Sequence, residues 1–99
     1  MEKFAIDLLV ENQYGVLNRI TGLYARRGCG IDSLYVNETE NPELSRMLIV
    51  SKGDEYIRTQ IVRQLLKLYD VKDVSLMSNG NSHTNQFQQW RYENEQNVL

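Results

Sequence analysis

Residues 11–28 constrain this chain more than any other stretch. The run Glu-Asn-Gln-Tyr-Gly-Val-Leu-Asn-Arg-Ile-Thr-Gly-Leu-Tyr-Ala-Arg-Arg-Gly reads as the end of a strand, a tight glycine turn, an amphipathic helix and a glycine stop. Before it, residues 3–10 alternate, with Phe4, Ile6, Leu8 and Val10 on one face and Ala5, Asp7 and Leu9 on the other. Period two means a strand, and a second face that is also mostly apolar means a central one. Gly15 can take positive φ or let another group approach the backbone, and Asn12 can cap a turn with its side chain. From residue 16 to 27 the period changes. Val16, Ile20 and Leu23, with Leu17 and Tyr24 beside them, form a helical stripe, while Asn18 and Arg19 point away. Arg26 and Arg27 suit the negative end of the helix dipole, and Gly28 suits its stop. Gly22 costs the helix roughly 1 kcal/mol against alanine, which predicts the close approach of another element there.

The rest of the chain supplies partners for that helix. Residues 31–38 read as a second strand, residues 39–43 as a turn around Pro42, and residues 44–51 as a third strand that makes a hairpin with the second. Asp54 is a suitable N-cap for a second helix over 55–69. Its stripe is Ile57, Ile61, Leu65 and Leu68, widened by Val62, Leu66 and Tyr69. Asp70 ends it, and residues 71–77 form a short fourth strand with Val74 and Leu76 on one face. The order strand–helix–strand–strand–helix–strand predicts an α+β, ferredoxin-like βαββαβ fold: a four-stranded antiparallel sheet with two helices on one face. Right-handed crossovers lead to an expected sheet with the first and fourth strands central and the second and third at the edges. The second strand, through Leu34, Tyr35 and Val36, is then a template for a second copy, giving a homodimer with a continuous eight-stranded sheet.

A chain of 99 residues has room for one domain and sits near the lower limit of independent stability. The expected domain spans residues 1–78. Residues 79–99 read as a polar linker and C-terminal tail, where Phe87, Trp90 and Arg91 share one side of a short helix capped by Ser82 or Thr84. Docking of Phe87, Trp90 and Tyr92 on a partner or on the open sheet face stands beside disorder as a reading of this segment. The net charge of −2 gives no footprint for nucleic acid. The single cysteine suits a reducing compartment, the charged Glu2 and Lys3 argue against a signal peptide, and no segment is long and apolar enough to span a bilayer. The expected location is the cytoplasm.

Catalytic patterns are missing. His83, the single histidine, stands in the linker without an acidic or thiol neighbour at useful spacing. Cys29 lacks a base and reads as a small packing residue. Asp70 and Asp73 read as solvated turn charges with no third ligand, and Ser33 and Ser45 lack triad partners. No metal site and no catalytic residue is expected, so the chain is not an enzyme by itself. Arg19, Arg26 and Arg27 are either solvated helix charges or a patch for an acidic partner. Split βαβ sheets also bind RNA by stacking bases, but Phe4 alone offers a ring on the strands expected to be central. The turn 12–16 remains. It is either a plain connection or, through helix N-terminal amides beside an Asn, a site for a carboxylate.

Here the residues become specific. Glu11-Asn12, Gly15-Val16-Leu17, Arg19, Gly22-Leu23, Arg26-Arg27-Gly28, Ile31, Ser33-Leu34, Thr39-Glu40-Asn41-Pro42 and Leu44-Ser45-Arg46-Met47, followed by Gln60-Ile61, Gln64-Leu65, Lys67-Leu68 and Asp70-Val71, resemble the ACT domain of the small, regulatory subunit of acetolactate (acetohydroxyacid) synthase. The resemblance covers residues 3 to about 76. It implies the fold above, side-by-side dimers, and a branched-chain amino acid (valine, leucine or isoleucine) at the dimer interface. It also implies a catalytic large subunit carrying thiamine diphosphate, magnesium and FAD, with no cofactor on this chain. By position, Asn12, Gly15 and Val16 match the family's effector turn, and Gly30 and Ile31 match the facing segment.

The sequence departs from the family at Gly30, where asparagine is common. Losing one hydrogen bond to a charged group costs about 1.5–3 kcal/mol, or about tenfold to a hundredfold in affinity. Weak valine binding, or another effector, is therefore expected. Many relatives carry a further C-terminal domain; this chain reads like the shorter members. The function implied is a regulatory small subunit in branched-chain amino-acid biosynthesis. The alternative is a free-standing ACT-type amino-acid sensor that controls another enzyme or a regulator.

Overall fold

The computed structural model describes residues 2–77. The readings on the linker, His83 and the tail aromatics Phe87, Trp90 and Tyr92 lie outside the described residues. Six elements follow in order: β1 (Lys3–Glu11), α1 (Val16–Arg26), β2 (Ile31–Glu38), β3 (Leu44–Lys52), α2 (Glu55–Leu66) and β4 (Val71–Met77). All pairings are antiparallel, and the strand order is β2-β3-β1-β4.

This order corrects one expectation. β3 is central beside β1, and β4 is an edge; β2 is an edge as predicted. The reason lies in the connections. The short turn after β2 forces β2 and β3 to be neighbours, so they cannot take opposite edges. Each helical crossover then steps over one strand, β1 to β2 over β3 and β3 to β4 over β1. The composition of β3 agrees, since Met47, Leu48, Ile49 and Val50 are all buried, on both of its faces.

Local chemistry explains the boundaries. Asp54 caps α2, its Oδ1 accepting the Ile57 N–H at 2.9 Å. Asn41 and Thr39 shape the hairpin turn: Thr39 Oγ1 accepts the Asn41 N–H at 3.1 Å, and Asn41 Oδ1 accepts the Glu43 N–H at 2.9 Å. α1 ends in a Schellman motif. Gly28 has φ +67°, the Gly28 N–H donates to Ala25 O at 3.0 Å, and the Cys29 N–H donates to Tyr24 O at 2.9 Å. The second helix stops at Leu66, short of the predicted Tyr69, and both Leu66 and Tyr69 are exposed.

Both helices lie on the face of the sheet formed by Phe4, Ile6, Leu8, Val10, Met47 and Ile49. Val16, Ile20, Leu23 and Tyr24 from α1 and Ile61 and Leu65 from α2 close this core. Each fully buried aliphatic chain there contributes about 1.5–3 kcal/mol through removal from water. Leu17, counted with the stripe by sequence, is 45% exposed. The close approach predicted at Gly22 is absent among the described residues, since a Cβ there would meet only Arg26 of its own helix. It occurs instead at Gly53, where a Cβ would lie 3.0 Å from Ile57 and 3.3 Å from Phe4.

Candidate functional site

The turn between β1 and α1 is held from three sides. Its strand end is tied by the Glu11 N–H, which donates to Asp70 O at 2.8 Å. Its middle is tied to the β2–β3 hairpin, because the Asn12 N–H donates to Glu43 O at 2.8 Å and Asn12 Nδ2 donates to Pro42 O at 3.2 Å. Its helix end is tied by Arg19. Nε donates to Asp70 Oδ2 at 2.9 Å, and Nη2 forms an ion pair with the same oxygen. Gly15 occupies the N-cap position with φ +88°. A residue with a side chain pays roughly 1–2 kcal/mol in that conformation. A Cβ at Gly15 would also stand 3.3 Å from Arg19 Nη1.

Of the first-turn amides of α1, the Val16 N–H donates to Gln13 O at 3.4 Å, and no side chain caps the others. No acidic residue lies in this turn. The amides that lack partners inside a helix, and the positive end of the dipole, therefore face outward beside the exposed Asn12. Nδ2 of Asn12 spends one of its two donors on Pro42, which leaves one donor and the amide oxygen. This end of α1 has the chemistry of a carboxylate receptor. Val16 is buried and anchors the first turn, whereas Tyr14 stands wholly in solvent.

Arg19 and Asp70 require a correction. Arg19 does not simply point away, and Asp70 is not a solvated turn charge: it is completely buried. Its side chain is 1% exposed against 43% for Arg19. The bond to Asp70 raises the Arg19 pKa. A side chain on a helix leans toward the N-terminus, so Arg19 covers the turn before it and reaches Gly15 and Asp70 together. The sequence signal was thin, because these partners stand 51 residues apart. Asp73 is exposed, as expected, but it stands within β4 opposite Leu9 rather than in a turn.

Gly30 and Ile31, the other two predicted site residues, are at the far end of α1. An eleven-residue helix is about 16 Å long, so one copy does not bring them to the turn 12–16. They line a groove of about 360 Å³ with Thr21, Tyr24, Ala25, Gly28 and Cys29. Gly30 has no left-handed backbone, and a Cβ there would meet nothing within 4 Å. Cys29 is buried, and burial pushes its thiol pKa up, against use as a nucleophile. Burial likewise raises the Tyr24 phenol, whose hydroxyl has no hydrogen-bond partner among the described residues. Of the predicted dimer-edge residues, Leu34 and Val36 are exposed at 36% and 51% and Tyr35 is half-buried. Opposite Ile49 and Met47 in the register, Leu34 and Val36 lie on the helix side of the sheet, past its cover. No group of three or more His, Cys, Asp or Glu side chains is placed to hold a metal among the described residues, and no described helix is long and apolar enough to cross a membrane.

Comparison with known proteins agrees with this fold. Residues 6–73 match the model of the AHAS small subunit-like ACT domain. A probable acetolactate synthase small subunit from Archaeoglobus fulgidus is 49% identical over 74% of this chain and 46% of its own length. The acetolactate synthase isozyme 3 small subunit of Escherichia coli is 47% identical over 76% of the chain and 46% of its own length. This chain thus spans about half the length of the curated relatives it matches. The crystal structure of the acetolactate synthase small subunit from Thermotoga maritima superposes with a TM-score of 0.75 at 36% identity, over 83% of this chain and 51% of that one. A family match over residues 6–73, with these identities and the shared ferredoxin-like sheet, leads to one conclusion: the chain belongs to the AHAS small subunit-like ACT domain family.

Proposed function

We propose that this chain is a regulatory subunit of acetolactate synthase, that it activates a catalytic subunit, and that two copies hold a branched-chain amino acid between them. One observation carries the reading: the two halves of the candidate site lie at opposite ends of the same exposed edge. The turn 12–16 is bonded to the hairpin at the C-terminal end of β2, and Gly30 and Ile31 precede and begin that strand. The eight-residue strand, seven steps from first residue to last, separates these ends by about 23 Å. Antiparallel pairing of β2 with a second β2 places the start of one strand against the end of the other. Each turn then faces the partner's residues 30 and 31, and two equivalent sites form. The uncapped amides and Asn12 take the carboxylate, and the half-buried, apolar Ile31 takes the aliphatic side chain, while Val16, buried in the core, holds the turn from beneath. The exposed Leu34 and Val36 are covered in the same step.

Thiamine diphosphate, magnesium and FAD belong in this reading to the catalytic subunit. The missing side chain at Gly30 makes the grip on valine weak, so activation proceeds without strong feedback inhibition. Sedimentation and calorimetric titration with valine, leucine and isoleucine test the proposal. A dimer that binds one of the three, and that raises the activity of a co-purified thiamine-diphosphate enzyme, is expected. A monomer that binds none overturns it, and micromolar valine binding overturns the weak-grip part. Amino-acid binding without such an enzyme transfers the reading to a free-standing sensor.

A further inference from the structure

One residue is bonded to both ends of the turn that the proposed function assigns to the effector. We propose that Asp70 is the positioning residue of that turn, acting through Arg19; the inference rests on the reading of the turn as an amino-acid site. Its main-chain oxygen accepts the Glu11 N–H at 2.8 Å, where β1 ends. Its carboxylate accepts Arg19 Nε at 2.9 Å and Nη2, one turn into α1. The intervening residues 12–18 are thereby bracketed by a single position between α2 and β4. The guanidinium also packs on the turn from within: Nη1 stands 3.3 Å from where a Gly15 Cβ would be, while the Arg19 main-chain N–H donates to Gly15 O at 2.9 Å as the first bond of α1.

The pair is built asymmetrically. Both donors go to Oδ2, while Oδ1 is buried with no hydrogen-bond partner among the described residues. A carboxylate with a 1% exposed side chain depends on its cation, and Arg19 supplies it through two donors of one planar group. Helix-terminal amides bind an anion well only when they are held in place beforehand, because ordering them on binding subtracts from affinity. Asp70 is too buried to touch the effector, so its part is to hold the turn's shape. It also connects that shape to α2 and β4, the two elements it joins.

The test uses Asp70→Asn and Arg19→Gln in the full chain, with Asp73→Asn as the exposed neighbour. Affinity is read by calorimetry for whichever of valine, leucine and isoleucine the wild type binds, at a temperature where each variant is fully folded. The expected result is a loss of about tenfold in each variant, no further loss in the double variant, and no change in Asp73→Asn. A structural role alone lowers the melting temperature and leaves the affinity of the folded protein unchanged; that result overturns the proposal. If Asp70→Asn does not fold, Arg19→Gln, altered at the half-exposed end of the pair, decides alone. If the wild type binds none of the three, the effector reading fails, and amide hydrogen exchange of residues 13–18 decides the positioning role. Faster exchange confined to those amides in Arg19→Gln supports it, and unchanged exchange overturns it.

Discussion

The two ends of α1 are opposites. At its start, Gly15 is held in a left-handed conformation, packed on a guanidinium, and linked through neighbouring residues to β3, the hairpin and Asp70. At its end, Gly28 is also left-handed, but a Cβ there would meet nothing within 4 Å, and Gly30 two residues later is equally unencumbered. The first end is fixed by bonds within the chain. The second end is empty space, and in the dimer proposed above it is where a partner copy and the effector meet the chain. On that proposal, one half of the site is fixed by folding and the other is tuned by a single side chain at modest structural cost.

Breaking the fixed half has the largest expected effect. Arg19→Met leaves the buried Asp70 carboxylate without its cation. Solvent reaches the half-exposed guanidinium, but the carboxylate it pairs with is 1% exposed and is left as an uncompensated buried charge. Thermal unfolding should show a lower melting temperature than for Gly15→Ala, Gly28→Ala, Gly30→Asn or Asp7→Asn. Next comes the contrast of glycines. Gly15→Ala should cost more than Gly28→Ala: both pay about 1 kcal/mol or more for the left-handed backbone, and only Gly15→Ala must also displace Arg19. Chemical denaturation of the two variants measures the difference; equal costs would mean that the guanidinium contact carries no weight. Gly30→Asn should leave stability almost unchanged, because the space is empty, yet raise effector affinity about tenfold by restoring one hydrogen bond. Calorimetric titration of the variant against the wild type reads that gain.

The smallest effect lies away from both ends, at Asp7 on the uncovered face of the sheet. Burial pushes its carboxyl pKa up, with Arg46 at 3.4 Å opposing. A raised folded-state pKa means that its contribution is present below the ordinary carboxylate range and is lost as pH rises through the folded-state value. Asp7→Asn should flatten that part of the pH–stability curve, by less than about 1 kcal/mol, without altering effector affinity. Melting temperatures from acid to neutral pH check it.

Much of this was readable locally. The alternation in residues 3–10, the Asp54 cap, and the glycines at 15 and 28 are determined within a few residues of chain, so their conformations follow from sequence alone. The candidate turn was readable for the same reason, since Gly15 and the uncapped start of α1 are features of one short segment. The second edge of the sheet was not: the strip beside β1 is shared out by hairpin adjacency and two crossovers, which concern the whole chain. Leu17 shows the limit of a helical stripe, because periodicity gives a direction and only the neighbouring elements determine how wide the cover extends.

The sequence by itself determined the elements, the turn and the family, because each rests on short-range preferences or on a run of residues. Tertiary structure alone decided that β3 is central, that Gly30 stands a helix length from the turn, and that Asp70 is buried beneath Arg19. The last is a contact across 51 residues between two charges that look solvated in the chain, and burial is a property of what surrounds a residue rather than of the residue.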